Sequence, residues 1–123
     1  MPWKFLATLM GILVLASAGA NAQEINFPEF SDDAREGGSL FMGSCASCHG
    51  PFAQGTEKGP PLIHKYYEPN HHSDQSFMLA IRRGARQHHW NFGNMPAVKG
   101  VADAEIPKII LYVRELQEAN GIN

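Results

Sequence analysis

The chain has 123 residues, with 10 Lys+Arg against 12 Asp+Glu, and its formal net charge at pH 7 is −2. This near-neutral balance argues against a basic nucleic-acid-binding protein and against a protein with a strongly acidic tail. The length predicts one small domain.

The first 22 residues are typical of a secretory signal peptide. Lys4 is followed by an uncharged apolar run over residues 5–18, and the small residues Ala20 and Ala22 suit cleavage by a signal peptidase after residue 22. The run is shorter than the roughly 20 residues that span a bilayer. We predict that residues 1–22 are removed on export and that residues 23–123 form a mature periplasmic domain without a membrane segment; an uncleaved N-terminal anchor is the alternative.

The predicted mature chain is poor in apolar residues for its size. Only 39 of its 101 residues are apolar, about 39%, and it contains 10 Gly and 7 Pro. Because a small domain buries a smaller fraction of its surface than a large one, this composition predicts a thin core. We therefore expect something besides side-chain packing to stabilise the domain.

Four segments carry helical patterns, and none carries the alternation of a half-buried strand. We predict an all-α fold with helices over residues 31–42, 45–49, 73–83 and 103–119. Long loops rich in Gly and Pro separate the second, third and fourth helices.

Capping residues and apolar spacing support these boundaries. Ser31 is a suitable N-cap for the first helix, and Gly84 is a suitable stop for the third. Pro107 falls in the first turn of the last helix, where a missing N–H costs least. The positions that we expect to face the core at helical spacing are Ala34, Gly37, Phe41, Phe77, Met78, Ile81, Ile106, Ile109, Ile110, Val113 and Leu116.

The two cysteines of the chain stand in the sequence Cys-Ala-Ser-Cys-His at residues 45–49. An exported protein with two cysteines by default forms a disulfide. A redox-active Cys-x-x-Cys belongs beside a strand in a βαβ unit, and no strand is predicted before this one. A structural zinc site needs two further ligands; these spacings match no zinc pattern, although the chain offers His64, His71, His72, His88 and His89.

The histidine directly after the second cysteine favours a different chemistry. In one turn of helix, Cys45, Cys48 and His49 project from the same side. Two sulfurs can then form thioethers with the vinyl groups of a haem, while the imidazole nitrogen binds its iron. This is the c-type haem attachment signature.

A haem iron needs a second axial ligand unless it binds exogenous molecules. Met95 lies in a loop flanked by Gly and Pro, where no helical periodicity explains it, and we predict that it is this ligand. Met42 is too close to the attachment motif to reach the other face, and Met78 fits a core position. His88 or His89 is the next candidate, and the plainer interpretation of Met95 is a loop side chain packed on the core.

Over residues 31–119 the sequence resembles a class I cytochrome c. Gly37 and Phe41 precede the attachment motif as in the N-terminal helix of that family, and Ile109 and Tyr112 resemble the partner pair in its C-terminal helix. The resemblance implies three to five helices wrapped around one covalently attached haem, with the N- and C-terminal helices crossed closely at the glycine.

Two loops extend the resemblance. The sequence Gly-Pro-Pro-Leu at residues 59–62 resembles the loop whose proline carbonyl accepts a hydrogen bond from the axial histidine, which implies that Pro60 orients His49. The Met95-Pro96 pair resembles the loop of the distal ligand. The resemblance implies that His49 and Met95 both stay bound to the iron as it changes between its ferric and ferrous states.

The implied function is electron transfer, with redox proteins as donor and acceptor and no nucleic acid involved. The chain is expected to act as a free monomeric carrier or as the cytochrome subunit of a larger periplasmic oxidoreductase, and not itself as an enzyme. The alternative functions are a haem protein with a labile distal ligand that binds or reduces a small molecule, and a zinc-binding or disulfide-linked interaction module.

Several other side chains have uncertain roles from the sequence alone. Trp90 is a candidate to contact a haem propionate or to pack in the core. The adjacent pairs His71-His72 and His88-His89 are candidates for copper or zinc binding or for sensing pH, although solvated loop histidines are the commoner case.

Overall fold

The computed structural model describes Met1 and residues 24–123. The expected signal peptide, residues 1–22, lies almost wholly outside the described residues and stays a prediction. Four α-helices and a short 3₁₀ helix form the domain. They are α1 (Asp32–Ser44), α2 (Ala46–His49), the 3₁₀ helix (Lys65–Tyr67), α3 (Asp74–Arg83) and α4 (Ile106–Ala119).

The all-α prediction is confirmed. Within residues 24–123 the only extended pairings are two isolated bridges, Thr56 with Gly59 and Ala85 with Met95. None of the helices in this described part of the chain is both long and apolar enough to cross a membrane.

The predicted cap at Ser31 and the predicted stop at Gly84 are both present. The Ser31 hydroxyl accepts a hydrogen bond from the Ala34 N–H at 3.3 Å, and Ser73 caps α3 in the same manner. Gly84 ends α3 with a φ of 79°, in the left-handed region that favours glycine. The helices α1 and α3 therefore begin at the residues whose side chains satisfy their first N–H groups.

The last helix begins later than the sequence predicts, at Ile106 and not at Asp103. A helix from Asp103 would require residue 107 to donate its N–H to the carbonyl of residue 103, and Pro107 has no N–H. Residues 103–105 form a turn instead, and the Glu105 carboxylate accepts the Ala102 N–H at 2.7 Å. The 3₁₀ helix also lies in a region for which the sequence predicts only loop.

Helices α1 and α4 cross at Gly37, as the resemblance implied. A Cβ atom built on Gly37 would lie 1.8 Å from the Lys108 carbonyl oxygen, so no side chain fits at this crossing. One turn further, the rings of Phe41 and Tyr112 pack with centroids 5.3 Å apart. The contact of the two terminal helices therefore depends on backbone lying against backbone.

A buried amide joins the central loop to α4. The Gln117 Nε2 donates to the carbonyls of Leu62 at 2.8 Å and Tyr67 at 3.0 Å, and its Oε1 accepts from Arg114 at 2.7 Å. Because Gln117 is fully buried, these bonds satisfy polar groups that would otherwise be costly to bury. They fix the loop that leads from α2 to the 3₁₀ helix against the core.

Candidate cofactor site

A cavity of about 510 Å³ opens into the centre of the domain. Its size is within the roughly 300–1,000 Å³ of typical cofactor sites. Core side chains from α1, α3, α4 and the central loop form much of its wall, namely Phe41, Leu62, Ile81, Ile109 and Val113. The cavity is therefore continuous with the hydrophobic core.

The Cys-x-x-Cys-His segment forms the turn of helix that its spacing predicts. The N–H groups of Cys48 and His49 donate to the Cys45 carbonyl at 3.2 and 2.9 Å. Cys45 and His49 line the cavity, whereas Cys48 is exposed and is not part of the wall. The structure thus places Cys45 and His49 at the cavity wall and leaves Cys48 exposed, whereas the helical spacing predicted that all three project from one side.

The His49 ring is buried and held by the Pro60 carbonyl. Its Nδ1 lies 2.9 Å from the Pro60 oxygen, and because a carbonyl only accepts, Nδ1 carries the proton. The hydrogen bond expected between these two residues is present. It leaves the Nε2 lone pair of His49 free to bind a metal ion.

Burial also sets the charge of this ring. Desolvation lowers the pKa of His49 below its usual value, and the hydrogen bond to Pro60 opposes that shift in part. The neutral imidazole is the form that binds a metal.

The loop after α2 encloses the end of that helix. The Thr56 hydroxyl donates to the Cys48 carbonyl at 2.7 Å, and the Gly55 N–H donates to the His49 carbonyl at 2.6 Å. A Cβ atom on Gly59 would lie 2.9 Å from the Cys48 oxygen, so the loop approaches closely only with glycine there. This approach brings the carbonyl of the next residue, Pro60, to His49.

The cysteine thiols do not have the character of a redox-active pair. Burial, with a smaller contribution from the nearby Cys48, raises the pKa of the Cys45 thiol to about 11. Thioredoxin-type motifs instead lower the pKa of their attacking cysteine. Cys45 and Cys48 are not bonded to each other in the structure, which does not favour the disulfide alternative, and the raised pKa of Cys45 does not favour the redox-active alternative.

Met95 lines the same cavity as His49. Its N–H and carbonyl both pair with Ala85, at 2.9 and 3.0 Å, which closes the loop of residues 85–95 at its base. Gly84 permits this closure, because its φ is 79° and a Cβ there would lie 2.4 Å from the Met95 oxygen. The backbone of Met95 is therefore fixed beside the cavity.

The other candidate ligands divide into two groups. Met42 is 53% exposed and Met78 packs against the core, and neither lines the cavity. His88 and His89 do line it. Among the alternatives named from the sequence, only the histidines thus share the cavity with Met95.

Trp90 lies on the cavity wall and its single N–H is already used. The indole N–H donates to the Tyr67 hydroxyl at 3.1 Å, and the ring packs against His64 and Tyr66. The contact of Trp90 with a propionate remains a prediction.

Residues 34–117 match the family described as Cytochrome c. The chain belongs to the cytochrome c family. No curated protein matches it. Membership confirms the cytochrome c fold and implies a covalently bound haem c, and the small size of this cytochrome fits a single haem.

The cavity of the cytochrome fits such a group on its own chemistry. It combines an apolar wall with a thiol from Cys45, a neutral imidazole from His49 and a thioether from Met95. An apolar enclosure with nitrogen and sulfur donors is the environment in which haem iron is held. The residues present therefore suit one haem.

Sequence reasoning missed how the loops around the cavity are fastened. Arg114 of α4 donates to the carbonyls of Tyr67 and His72, at 2.7 and 2.5 Å, and to the Asp74 carboxylate at 2.7 Å. In the sequence, Arg114 lies on the polar side of an amphipathic helix and gives no signal of these contacts. The sequence also did not predict that the pairs His71-His72 and His88-His89 contact each other, although each pair was identified as a candidate metal site.

Proposed function

We propose that this cytochrome is a periplasmic electron carrier with one haem, acting as a free protein or as the electron-transfer subunit of an oxidoreductase. Its family supports haem-based electron transfer. The first 22 residues, which have the pattern of a signal peptide, support export. Export also agrees with a c-type haem, because bacteria attach this haem after export.

In this proposal Cys45 and Cys48 form the two thioether bonds, and His49 and Met95 are the axial ligands of the iron. The observation that carries the assignment is the His49 ring, which is fixed by Pro60 and faces the same cavity as Met95. Bound haem supplies an iron that exchanges one electron between its ferric and ferrous states.

The chain keeps both ligands in place. Pro60 holds the His49 ring in one tautomer, and the Ala85 pairing holds the backbone of Met95. With both residues bound, a haem iron would have no position open to a substrate, which suits an electron carrier. The methionine sulfur favours the reduced iron relative to a second histidine.

Absorption spectra of the exported protein test this assignment. We expect low-spin ferric and ferrous spectra, a weak near-infrared band from the sulfur–iron bond, and no rapid reaction of the reduced protein with carbon monoxide. A high-spin spectrum with ready carbon monoxide binding would instead establish the alternative function, in which the distal ligand is labile and a small molecule binds.

Location and partners need separate measurements on the full chain. We expect the red protein in the periplasmic fraction, with residues 1–22 absent from its mass. Co-purification with a second chain would identify a subunit of a redox complex, whereas a monomer that exchanges electrons with other redox proteins would identify a free carrier.

A further inference from the structure

Two loops that are separate in the sequence bring four histidines together. His71 and His72 precede α3, and His88 and His89 lie in the closed loop after it. The Nε2 atoms of His71 and His89 are 3.1 Å apart, and those of His72 and His88 are 3.3 Å apart. One ligand atom from each of His71, His72 and His89 lies within 4.8 Å of the others.

Backbone carbonyls fix the tautomers of two of these rings. The Nδ1 of His72 donates to the Tyr66 carbonyl at 2.5 Å, and the Nδ1 of His88 donates to the Arg86 carbonyl at 2.7 Å. When both rings are neutral, their Nε2 atoms face each other as two lone pairs with no proton between them. Such an arrangement is repulsive unless a cation lies between the nitrogens. Metal-binding histidines have the same outer hydrogen bond from the second ring nitrogen to a carbonyl.

The surroundings disfavour a proton as that cation. Desolvation and the neighbouring histidines lower the pKa of both His72 and His89. For His72 the hydrogen bond to the Tyr66 carbonyl opposes this shift in part, and the Arg114 guanidinium adds to it. The charge of Arg114 is itself balanced by Asp74 at 2.7 Å. Neutral imidazoles, which the surroundings favour, are the form in which histidine binds metal ions.

Two of the nitrogen spacings agree with neighbouring ligands of one metal ion. Metal–nitrogen bonds of roughly 2.0–2.1 Å place adjacent tetrahedral ligands about 3.3 Å apart. The two short Nε2 separations, 3.1 and 3.3 Å, have this length. An all-imidazole ligand set suits zinc and copper better than magnesium or calcium, which prefer oxygen ligands.

Both loops are held in position by other contacts. Arg114 donates to the His72 carbonyl at 2.5 Å. In the other loop, the Asn94 side chain accepts the Gln87 N–H at 3.0 Å, while Trp90 anchors the loop to Tyr67. The backbone that carries the histidines is therefore held by hydrogen bonds. Binding an ion requires little further ordering of the two loops.

We propose that His71, His72 and His89 form a site for one divalent transition-metal ion, Zn²⁺ or Cu²⁺. The fourth histidine, His88, flanks this site through its short separation from His72. The site lies at the wall of the haem cavity but uses none of the residues assigned to the iron. This second metal site goes beyond electron transfer by the haem.

Calorimetric titration of the untagged, chelator-treated ferric holoprotein with Zn²⁺ tests the proposal. We expect one equivalent to bind, and we expect His71→Gln and His89→Gln each to weaken binding at least tenfold. His64→Gln is the matched control, because His64 packs against Tyr66 and Trp90 in the same region but belongs to neither short Nε2 pair. This control should bind Zn²⁺ as the parent does.

Circular dichroism and the haem spectrum of each variant keep the result interpretable. Unchanged spectra with weakened Zn²⁺ binding support the metal site. The proposal is overturned if the parent binds no stoichiometric Zn²⁺, or if His71→Gln and His89→Gln bind it as tightly as the parent. It is also overturned if His89→Gln alters the low-spin haem spectrum, because that histidine would then be an iron ligand. A negative titration leaves the haem assignment untouched, since the spectra test that separately.

Discussion

At the level of single residues, the site depends on small backbone contacts that orient large side chains. The Pro60 carbonyl determines which nitrogen of His49 carries the proton. The backbone hydrogen bonds to Ala85 determine where the backbone of Met95 lies. Neither Pro60 nor Ala85 contributes its side chain to these bonds. Substitutions at His49 and Met95 are therefore more informative than substitutions at the residues that support them.

We predict that Met95→Ala abolishes the near-infrared sulfur–iron band and leaves the haem covalently attached. The thioether bonds are formed by the cysteines, so loss of the distal ligand removes only one iron bond. Near-infrared absorption and the mass of the purified protein measure the two effects.

Met42→Ala is the control for this change, because Met42 is exposed and does not line the cavity. It should keep the band. If the band persists in Met95→Ala, another residue is the sulfur ligand and the assignment of Met95 is wrong.

The hydrogen bond between Trp90 and Tyr67 allows a second test. We expect Trp90→Phe and Tyr67→Phe each to lower the free energy of unfolding of the holoprotein by about 1 kcal/mol, because each removes one end of the same partly buried hydrogen bond. Chemical denaturation measures this, and the double variant should lose little more than either single one.

The same pair of variants tests the predicted propionate contact. A propionate that accepts from Trp90 would make Trp90→Phe shift the midpoint potential, whereas Tyr67→Phe would not. If both variants keep the parent potential, Trp90 acts through Tyr67 alone.

At the level of helices, the close crossing of α1 and α4 brings the two ends of the chain together. Phe41 and Cys45 lie on or just after α1, while Ile109 and Val113 lie on α4, and all four line the cavity. The crossing of α1 and α4 at Gly37 sets the distance between the lining residues from the two ends of the chain. A glycine in a helix interior costs about 1 kcal/mol relative to alanine, and this crossing explains its presence.

We predict that Gly37→Ala destabilises the holoprotein by about 3 kcal/mol or more, or prevents its accumulation. The new Cβ would meet the Lys108 carbonyl oxygen at 1.8 Å, and a backbone atom moves only if the helices separate. Thermal and chemical denaturation of the purified cytochrome measure the effect.

Gly43→Ala provides a matched control in the same helix. A Cβ on Gly43 meets nothing within 4 Å, so this change should stabilise the protein by up to about 1 kcal/mol through helix propensity. Equal stabilities for the two alanine variants would show that the crossing tolerates a side chain.

At the level of the whole molecule, the core forms one part of the cavity wall. Five residues of the core cluster form part of the cavity wall, and their apolar surface faces the space that a haem fills: Phe41, Leu62, Ile81, Ile109 and Val113. The composition of the mature chain, about 39% apolar, leaves few other side chains to cover them. Stability is therefore coupled to the bound group, as in proteins that fold around a metal ion.

We predict that the mature chain without haem is largely unfolded. Expression of the Cys45→Ser/Cys48→Ser double variant without the attachment machinery supplies this form, and far-ultraviolet circular dichroism during urea titration measures its structure. The holoprotein should unfold cooperatively under the same conditions. A cooperative transition of the haem-free chain would contradict the coupling.

The sequence alone determined the features that depend on neighbours within one or two helical turns. Local hydrogen bonds produce the attachment turn at residues 45–49, the caps at Ser31 and Ser73 and the stop at Gly84. The structure places the turn, Ser31 and Gly84 as predicted. It also starts α3 within the predicted boundary. The predicted start of α4 was wrong by three residues, because residues 103–105 form a turn and Pro107 has no N–H to donate to residue 103.

Only the tertiary structure decided which distant residues meet. His71 and His89 are 18 residues apart and Arg114 lies 42 residues from His72, yet each pair is in contact. Such contacts depend on how each loop closes over α3 and α4, and that closure is a property of the packed chain. The sequence therefore predicted His49 and Met95 as iron ligands, and the structure places both at one cavity. The histidine cluster became visible only once the loops were folded against one another.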